Sequence, residues 1–243
     1  MVEVVRATDT EDLVAAAAIR FLDVVTSVTG DPEGGVHGDG VARIVLTGGG
    51  AGIRLLEKLA EIGGGLNWSR VRVFFGDERN VPVTDAESNE GQARAALLSA
   101  VNIPEDNIHG YGLGTVDLAE AALAYEGVLD SAAPQGFDLH LLGMGGEGHI
   151  NSLFPHTAAV TETERRVLPI FDSPKPPAER VTLTLPAVHS AARVWLLVSG
   201  AEKAEAAAAI VDGAAAEDWP AAGAQGRDET VLFLTEDAAG KLG

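Results

Sequence analysis

The 243-residue chain contains no cysteine, so it can form neither a disulfide nor a thiolate metal site. That absence fits a reducing cytoplasm, which is the expected location. Positive charge is scarce: 17 Lys and Arg stand against 36 Asp and Glu, for a net charge of −19. The phosphates of a nucleic acid would be repelled, so no nucleic-acid partner is expected. No stretch approaches the ~18 uninterrupted apolar residues of a membrane span, and no membrane partner is expected. The opening Met1–Thr10 lacks the charged-then-apolar layout of a signal peptide. Neither the Lys-Ser/Thr of a P-loop nor the G-x-G-x-x-G of a dinucleotide site occurs at a glycine-rich turn.

The remaining composition is that of a globular protein, 46% hydrophobic and 22% charged. A chain of this length buries a sizeable core without covalent staples. One domain over residues 1–243 is the simplest organisation. The acidity sets a condition on any anionic ligand: its site needs a local cluster of positive groups. The few basic residues beside glycine-rich turns therefore carry the functional question.

Apolar periodicity predicts a helix over 11–28, with Asp9 or Thr10 as its cap and Leu13, Ala16, Ala17, Ile19, Phe21 and Leu22 on its apolar face. A buried strand at 41–46 runs into Thr47-Gly-Gly-Gly50, and helical spacing resumes from Ile53 to Ile62. Residues 71–75 form the next strand. A polar loop over 76–86 then leads to Ser88 as the cap of a helix at 89–99. A helix at 117–130, a strand at 137–142 and an edge strand at 166–171 follow. Ser173–Pro177 cannot extend that edge, because its prolines lack the N–H donor. A strand at 193–198, a helix at 201–211 and a strand at 230–235 complete the pattern. Alternating strands and helices predict an α/β fold, a mostly parallel sheet with helices on both faces. Ligands of such sheets collect beyond the carboxyl ends of the strands, where the turns after residues 46, 75 and 142 lie.

Four segments have the chemistry of a site. Thr47–Gly52 opens a helix and presents free backbone N–H groups, either as a phosphate cradle or as a plain tight turn. Arg54, one turn in, reads better as a solvated helix residue. Gly76-Asp-Glu-Arg79 places three charges directly after a buried Phe-Phe strand. Arg79 offers a planar fork of donors to an oxyanion or phosphate. Asp77 is suited to orienting a neighbouring imidazole or arginine. Gly143-Met-Gly-Gly-Glu-Gly-His149 ends a flexible loop in a residue that titrates near neutrality. The other five histidines lack that setting, and His140 reads as a core or sheet-face residue. Lys203, in Gly200-Ala-Glu-Lys203, and Arg180 are ambiguous between ligand and surface roles.

In register, these segments resemble the 6-phosphogluconolactonase family over essentially the whole chain. The resemblance rests on residues 76–79 with Ser88-Asn89, on Asp138 to His149, on Ser152-Leu-Phe-Pro155, on Arg180–Thr184 and on Gly200–Ala204. It implies a Rossmann-like fold similar to that of glucosamine-6-phosphate deaminase. It also implies hydrolysis of 6-phosphoglucono-δ-lactone without an obligatory cofactor; relatives can bind a metal, but no His/Asp cluster here has obvious ligand spacing, so no metal is expected. His149 is then the general base, with Asp77 and Arg79 beside it. Gly48, Gly49, Gly50, Asn89, Asn151, Arg180 and Lys203 are the substrate and phosphate candidates. The tetrahedral oxyanion falls to Arg79 or to N–H groups of the 143–148 loop. The partner is a phosphorylated sugar lactone, with monomer and dimer both open. Two departures stand out. Thr47–Gly52 replaces a commoner Ser-Gly-Gly-Ser-Thr-Pro and leaves Thr47 as the one hydroxyl there, and Asn151 replaces a commoner alanine. The competing readings are an aminosugar-phosphate deaminase or isomerase, a non-catalytic sugar-phosphate sensor and a dinucleotide-dependent oxidoreductase. The first shares Gly-His-Ile but not the Asn-Ser-Leu-Phe-Pro that follows here. The sensor would need a basic DNA-binding segment.

Overall fold

The fold is described from a computed structural model, for residues 2–242. In chain order the elements are β1 (Glu3–Ala7), α1 (Thr10–Gly30), β2 (Ala42–Leu46), α2 (Gly49–Ile62), β3 (Val71–Phe75), β4 (Asp77–Arg79) and α3 (Asn89–Ala93). Then come α4 (Leu118–Ala132), β5 (Leu139–Gly143), β6 (Val167–Ile170), β7 (Arg180–Leu183), α5 (Leu185–His189), β8 (Arg193–Val198), α6 (Ala204–Asp212) and β9 (Glu229–Thr235).

Six strands form one parallel sheet in the order β1-β9-β8-β5-β2-β3. Every residue of β2 is buried, as are all but the first of β8 and β9, so both faces of the sheet are covered. The chain steps outward from β2 to β3, then returns to β5 on the other side of β2 and proceeds to β8 and β9. The direction of travel reverses between β2 and β5, and a crevice opens there beyond their carboxyl ends. A hydrogen bond from the Gly143 N–H to the Thr47 hydroxyl, 2.9 Å, ties the two strand ends together at that point.

The second sheet is small and antiparallel, in the order β4-β7-β6. Gly76 is the junction between the sheets: its N–H donates to the Leu46 carbonyl of β2, and its carbonyl accepts from Leu183 of β7. β4 pairs with β7 so that Asp77 faces Thr182 and Arg79 faces Arg180 across the ladder. The polar segment from 76 therefore begins as a strand rather than a loop. Its hydrogen-bonding partner lies about a hundred residues away, beyond the reach of any local pattern.

Local chemistry accounts for most helix starts. Asp9 accepts from the N–H groups of Glu11 and Asp12, Ser88 from Gly91, and Asp117 from Ala119 and Glu120. Helix α1 buries Leu13, Val14, Ala17, Ala18, Phe21, Val24, Val25 and Val28, whereas Ile19 is 60% exposed and lies off the expected face. Among the described residues α1 alone is long and apolar enough to cross a membrane by length and composition, yet this apolar stripe packs against the protein. The helix expected over 89–99 is α-helical only to Ala93 and continues as a π-helical turn over Arg94–Leu98. Strand β1 has no counterpart in the sequence pattern, because it is an edge strand of mixed exposure.

The core contains Trp195, Phe21, Phe74, Phe75, Phe137, Tyr125 and Phe233. His140 of β5 is fully buried in it, edge-on to Phe137, with no hydrogen bond to either ring nitrogen. Burial pushes its pKa from 6.5 down to about 3. The folded state thus refuses a proton that the unfolded chain accepts once the pH drops below about 6.5. Stability then falls with pH through that window down to about 3. We expect His140→Leu to show a smaller fall in thermal midpoint between pH 7 and pH 5 than the parent, at no loss of stability at pH 7. An unchanged slope would contradict the assignment.

Candidate active site

The crevice between the ends of β2 and β5 is an open cleft. Thr47, Gly48, Gly49, Asp77, Arg79, Asn89, Gly143, Met144, His149, Asn151 and Arg180 line it. Seven of these residues, Asp77, Arg79, Asn89, Gly143, Met144, His149 and Arg180, belong to the segments that carry the sequence resemblance, and they reach the cleft from β4, α3, β5 with the loop after it, and β7. The sequence places them far apart, and the two sheets bring them together.

His149 stands at the end of the 143–148 loop. Its Nδ1 lies 3.0 Å from Glu147 Oε1, and its ring stacks on Phe154 with centroids 4.5 Å apart. Nε2 has no hydrogen bond to another described residue. The loop approaches the imidazole so closely that a Cβ on Gly145 would lie 2.1 Å from Nδ1. Gly148 has φ +79° and packs under Trp219, a place no side chain fits. Burial lowers the His149 pKa below its usual 6.5, and the nearby Lys175 charge adds to that, while Glu147 and Asp77 oppose it. The neutral imidazole is thereby favoured. With Nδ1–H donating to Glu147, the Nε2 lone pair is left free.

Asp77 is 13% exposed and densely bonded. Its Oδ2 accepts from the Ser152 hydroxyl at 2.6 Å, its Oδ1 accepts from Asn89 Nδ2 at 3.0 Å, and Arg180 Nη1 lies 3.7 Å away. Asn89 turns its carbonyl oxygen to Arg79 Nη1, 2.7 Å, and so bridges Asp77 to Arg79. Arg79 Nη1 also donates to the Glu87 carbonyl, whereas Nε is buried without a hydrogen bond, 3.8 Å from Glu87 Oε2. Beneath them lies Glu78, 3% exposed. Burial pushes its pKa up, against hydrogen bonds from Glu90 N, Asn89 N, Arg79 N and the Ser88 hydroxyl. This carboxylate caps α3 and fixes both Asn89 and Arg79.

The anion-binding end differs from the sequence reading in four respects. Helix α2 begins at Gly49 with no side-chain cap, so its first N–H groups are open to a ligand. Gly50, although part of that turn, is exposed and lies outside the cleft lining. The Thr47 hydroxyl accepts from the Gly143 N–H and turns its own O–H to the Gly48 carbonyl at 3.4 Å, so the backbone supplies the free donors there. Arg180 lines the cleft, but Nε donates to Pro177 O and Nη2 to Lys175 O and Pro176 O, while Nη1 faces Asp77. It clamps the 175–177 segment instead of standing free for a phosphate. Lys203 also lies outside the lining. It forms no ion pair with another described residue, and burial lowers its pKa. Its segment abuts the histidine loop, with Glu202 O 3.1 Å from a Cβ built on Gly146.

The oxyanion candidates narrow as well. In the 143–148 loop the N–H of Gly143 is bonded to Thr47, that of Gly145 to His149 O, and that of Gly148 to Gly145 O. Asn151 holds φ +48°, and its buried Oδ1 has no partner. Sequence reasoning missed Glu147, Ser152, Phe154 and Lys175. Glu147, two residues before the histidine, was the one legible from spacing. Among the described residues no three His, Asp or Glu side chains converge as metal ligands.

Comparison with known proteins agrees with this geometry. The chain is 50% identical to the 6-phosphogluconolactonase of Mycobacterium tuberculosis, over 96% of each chain. The crystal structure of 6-phosphogluconolactonase from Thermotoga maritima superposes with a TM-score of 0.84 at 26% identity, covering 97% of this chain and 100% of that one. A monomeric glucosamine-6-phosphate deaminase shares the fold, with a TM-score of 0.79 at 23% identity, over 98% of each chain. Residues 8–233 match the model of glucosamine-6-phosphate isomerases/6-phosphogluconolactonase, and the chain belongs to that family.

Proposed function

We propose that the chain hydrolyses 6-phospho-D-glucono-1,5-lactone to 6-phospho-D-gluconate, the lactone-opening step of the oxidative pentose phosphate pathway. The observation that carries this reading is His149: a desolvated imidazole with Nδ1 tied to Glu147 and Nε2 unbonded at the cleft. A lactone is an activated ester, so water suffices as nucleophile. The water oxygen attacks C1 while one of its protons passes to Nε2. The oxyanion so formed is stabilised by the Arg79 guanidinium, already oriented by Asn89. When the tetrahedral intermediate collapses, the bond from C1 to the ring oxygen breaks, and Nε2 returns the proton to that oxygen.

The phosphate lies at the opposite end, against the open N–H groups of Gly48 and Gly49 at the start of α2, and Lys203, in the segment beside the histidine loop, adds positive charge from outside the cleft lining. Anchoring this non-reacting group orients the carbonyl at the base. In a protein of net charge −19, the cations Arg79, Arg180, Lys175 and Lys203 grouped near one cleft provide the local attraction that the substrate needs.

His149→Ala should lower kcat by about 10²- to 10⁴-fold once spontaneous opening is subtracted. In the parent, activity requires neutral His149, whose pKa lies below 6.5. The rate should therefore rise with pH through a midpoint below that value and be flat above it. Near-normal turnover by the alanine variant, or a midpoint above 7, would rule out the general-base role. Ammonia release from glucosamine 6-phosphate by the parent would favour the deaminase reading instead.

Asn89→Ala should uncouple Arg79 from Asp77 and reduce kcat/KM by about 10- to 100-fold, the scale of one charge-assisted hydrogen bond. A change confined to stability would show that Asn89 only supports the fold.

A further inference from the structure

Beyond its share of the positive charge near the cleft, Lys175 has no step in the reaction just described. It lies in the Ser173–Pro177 stretch, whose prolines mark it only as unable to continue a strand. The fold nevertheless brings its ammonium to the base. Lys175 Nζ is 2.7 Å from Glu147 Oε1 and 3.4 Å from His149 Nδ1. The same Glu147 oxygen is 3.0 Å from Nδ1. One carboxylate oxygen therefore faces both the imidazole and the ammonium.

Arg180 sets the position of this lysine. Its side chain is 7% exposed, and it donates to the carbonyls of Lys175, Pro176 and Pro177 at 3.0–3.2 Å. The Ser173 N–H closes the loop on the Ala178 carbonyl. A buried arginine thus holds three consecutive carbonyls of the segment that delivers Lys175.

The arrangement bears on which nitrogen of His149 carries the proton. An ammonium donating to Nδ1 would require the proton on Nε2, and that tautomer cannot accept a proton from water at the cleft. The shorter contact from Lys175 is to Glu147, which leaves Nδ1–H pointing at the carboxylate. We propose that Lys175, placed by Arg180, is a positioning residue for the base: it pairs with Glu147, holds that carboxylate on Nδ1–H, and so keeps the Nε2 lone pair turned to the cleft. The proposal rests on the reading of His149 as general base.

The charges facing His149 are Glu147, Lys175 and Asp77, and Phe154 covers one ring face. Burial and the Lys175 cation favour the neutral ring, whereas Glu147 and Asp77 favour the protonated one. Removing Lys175 deletes one neutralising influence and also leaves Glu147 unpaired, so both effects raise the pH at which His149 titrates. Lys175 is 47% exposed, so salt should weaken the effect.

The test uses Lys175→Met and Lys175→Arg in the full chain. Two titrations are followed, the His149 ring signals by NMR and kcat against pH. The expected result for Lys175→Met is an upward move of both midpoints by about half a pH unit or more, smaller in high salt, with Lys175→Arg restoring the parent values. An NMR midpoint that does not move overturns the proposal. So does a rise in KM with both midpoints fixed, which would make Lys175 a substrate contact. An NMR midpoint that moves while the kcat profile does not overturns the general-base reading itself, and the positioning role with it.

Discussion

The site depends on the hydrogen bond between the Gly143 N–H and the Thr47 hydroxyl. It lies where the parallel sheet reverses its order of assembly, and it fixes the ends of β2 and β5 beside each other. The α2 turn leaves from one strand end and the histidine loop from the other. The anion-binding N–H groups and the base are thereby set on opposite lips of one crevice. Gly76 adds the third side, since it hands the chain from β3 in the large sheet to β4 in the small one. Asp77, Arg79 and Arg180 follow from that junction.

Charge is organised in layers around this frame. Buried Glu78 collects four donors and fixes Asn89 and Arg79. Asn89 links Arg79 to Asp77, and Asp77 faces Arg180. Arg180 holds the Lys175 segment, and Lys175 meets Glu147 beside His149. A chain of contacts therefore runs from the buried end of one motif to the base in another. These contacts leave Nε2 of His149, the unbonded N–H groups of Arg79 and the start of α2 as the open chemistry.

Much of this was legible in the sequence, for identifiable reasons. Parallel strands buried on both faces read as short apolar runs, and the turns after residues 46, 75 and 142 carry their own glycine and charge signals. Asp9, Ser88 and Asp117 cap helices by local rules. What stayed hidden was non-local. β4 exists because β7 pairs with it from a hundred residues away, and β1 is an edge strand of mixed polarity. Arg180 reads as a free cation until the carbonyls of 175–177 are seen around it. Lys175 reads as a residue between prolines until the loop is placed. Gly50 and Lys203 both follow strands in segments suited to an anion, yet neither lines the cleft, since the sequence of a turn does not specify which side of it faces a ligand.

A structure with 6-phospho-D-gluconate bound tests the central claim most directly. The expected result places the carboxylate between His149 Nε2 and Arg79, with the phosphate at the Gly48–Gly49 end of the cleft. A ligand bound the other way round, with its phosphate on Arg79 and its carboxylate away from His149, would contradict it.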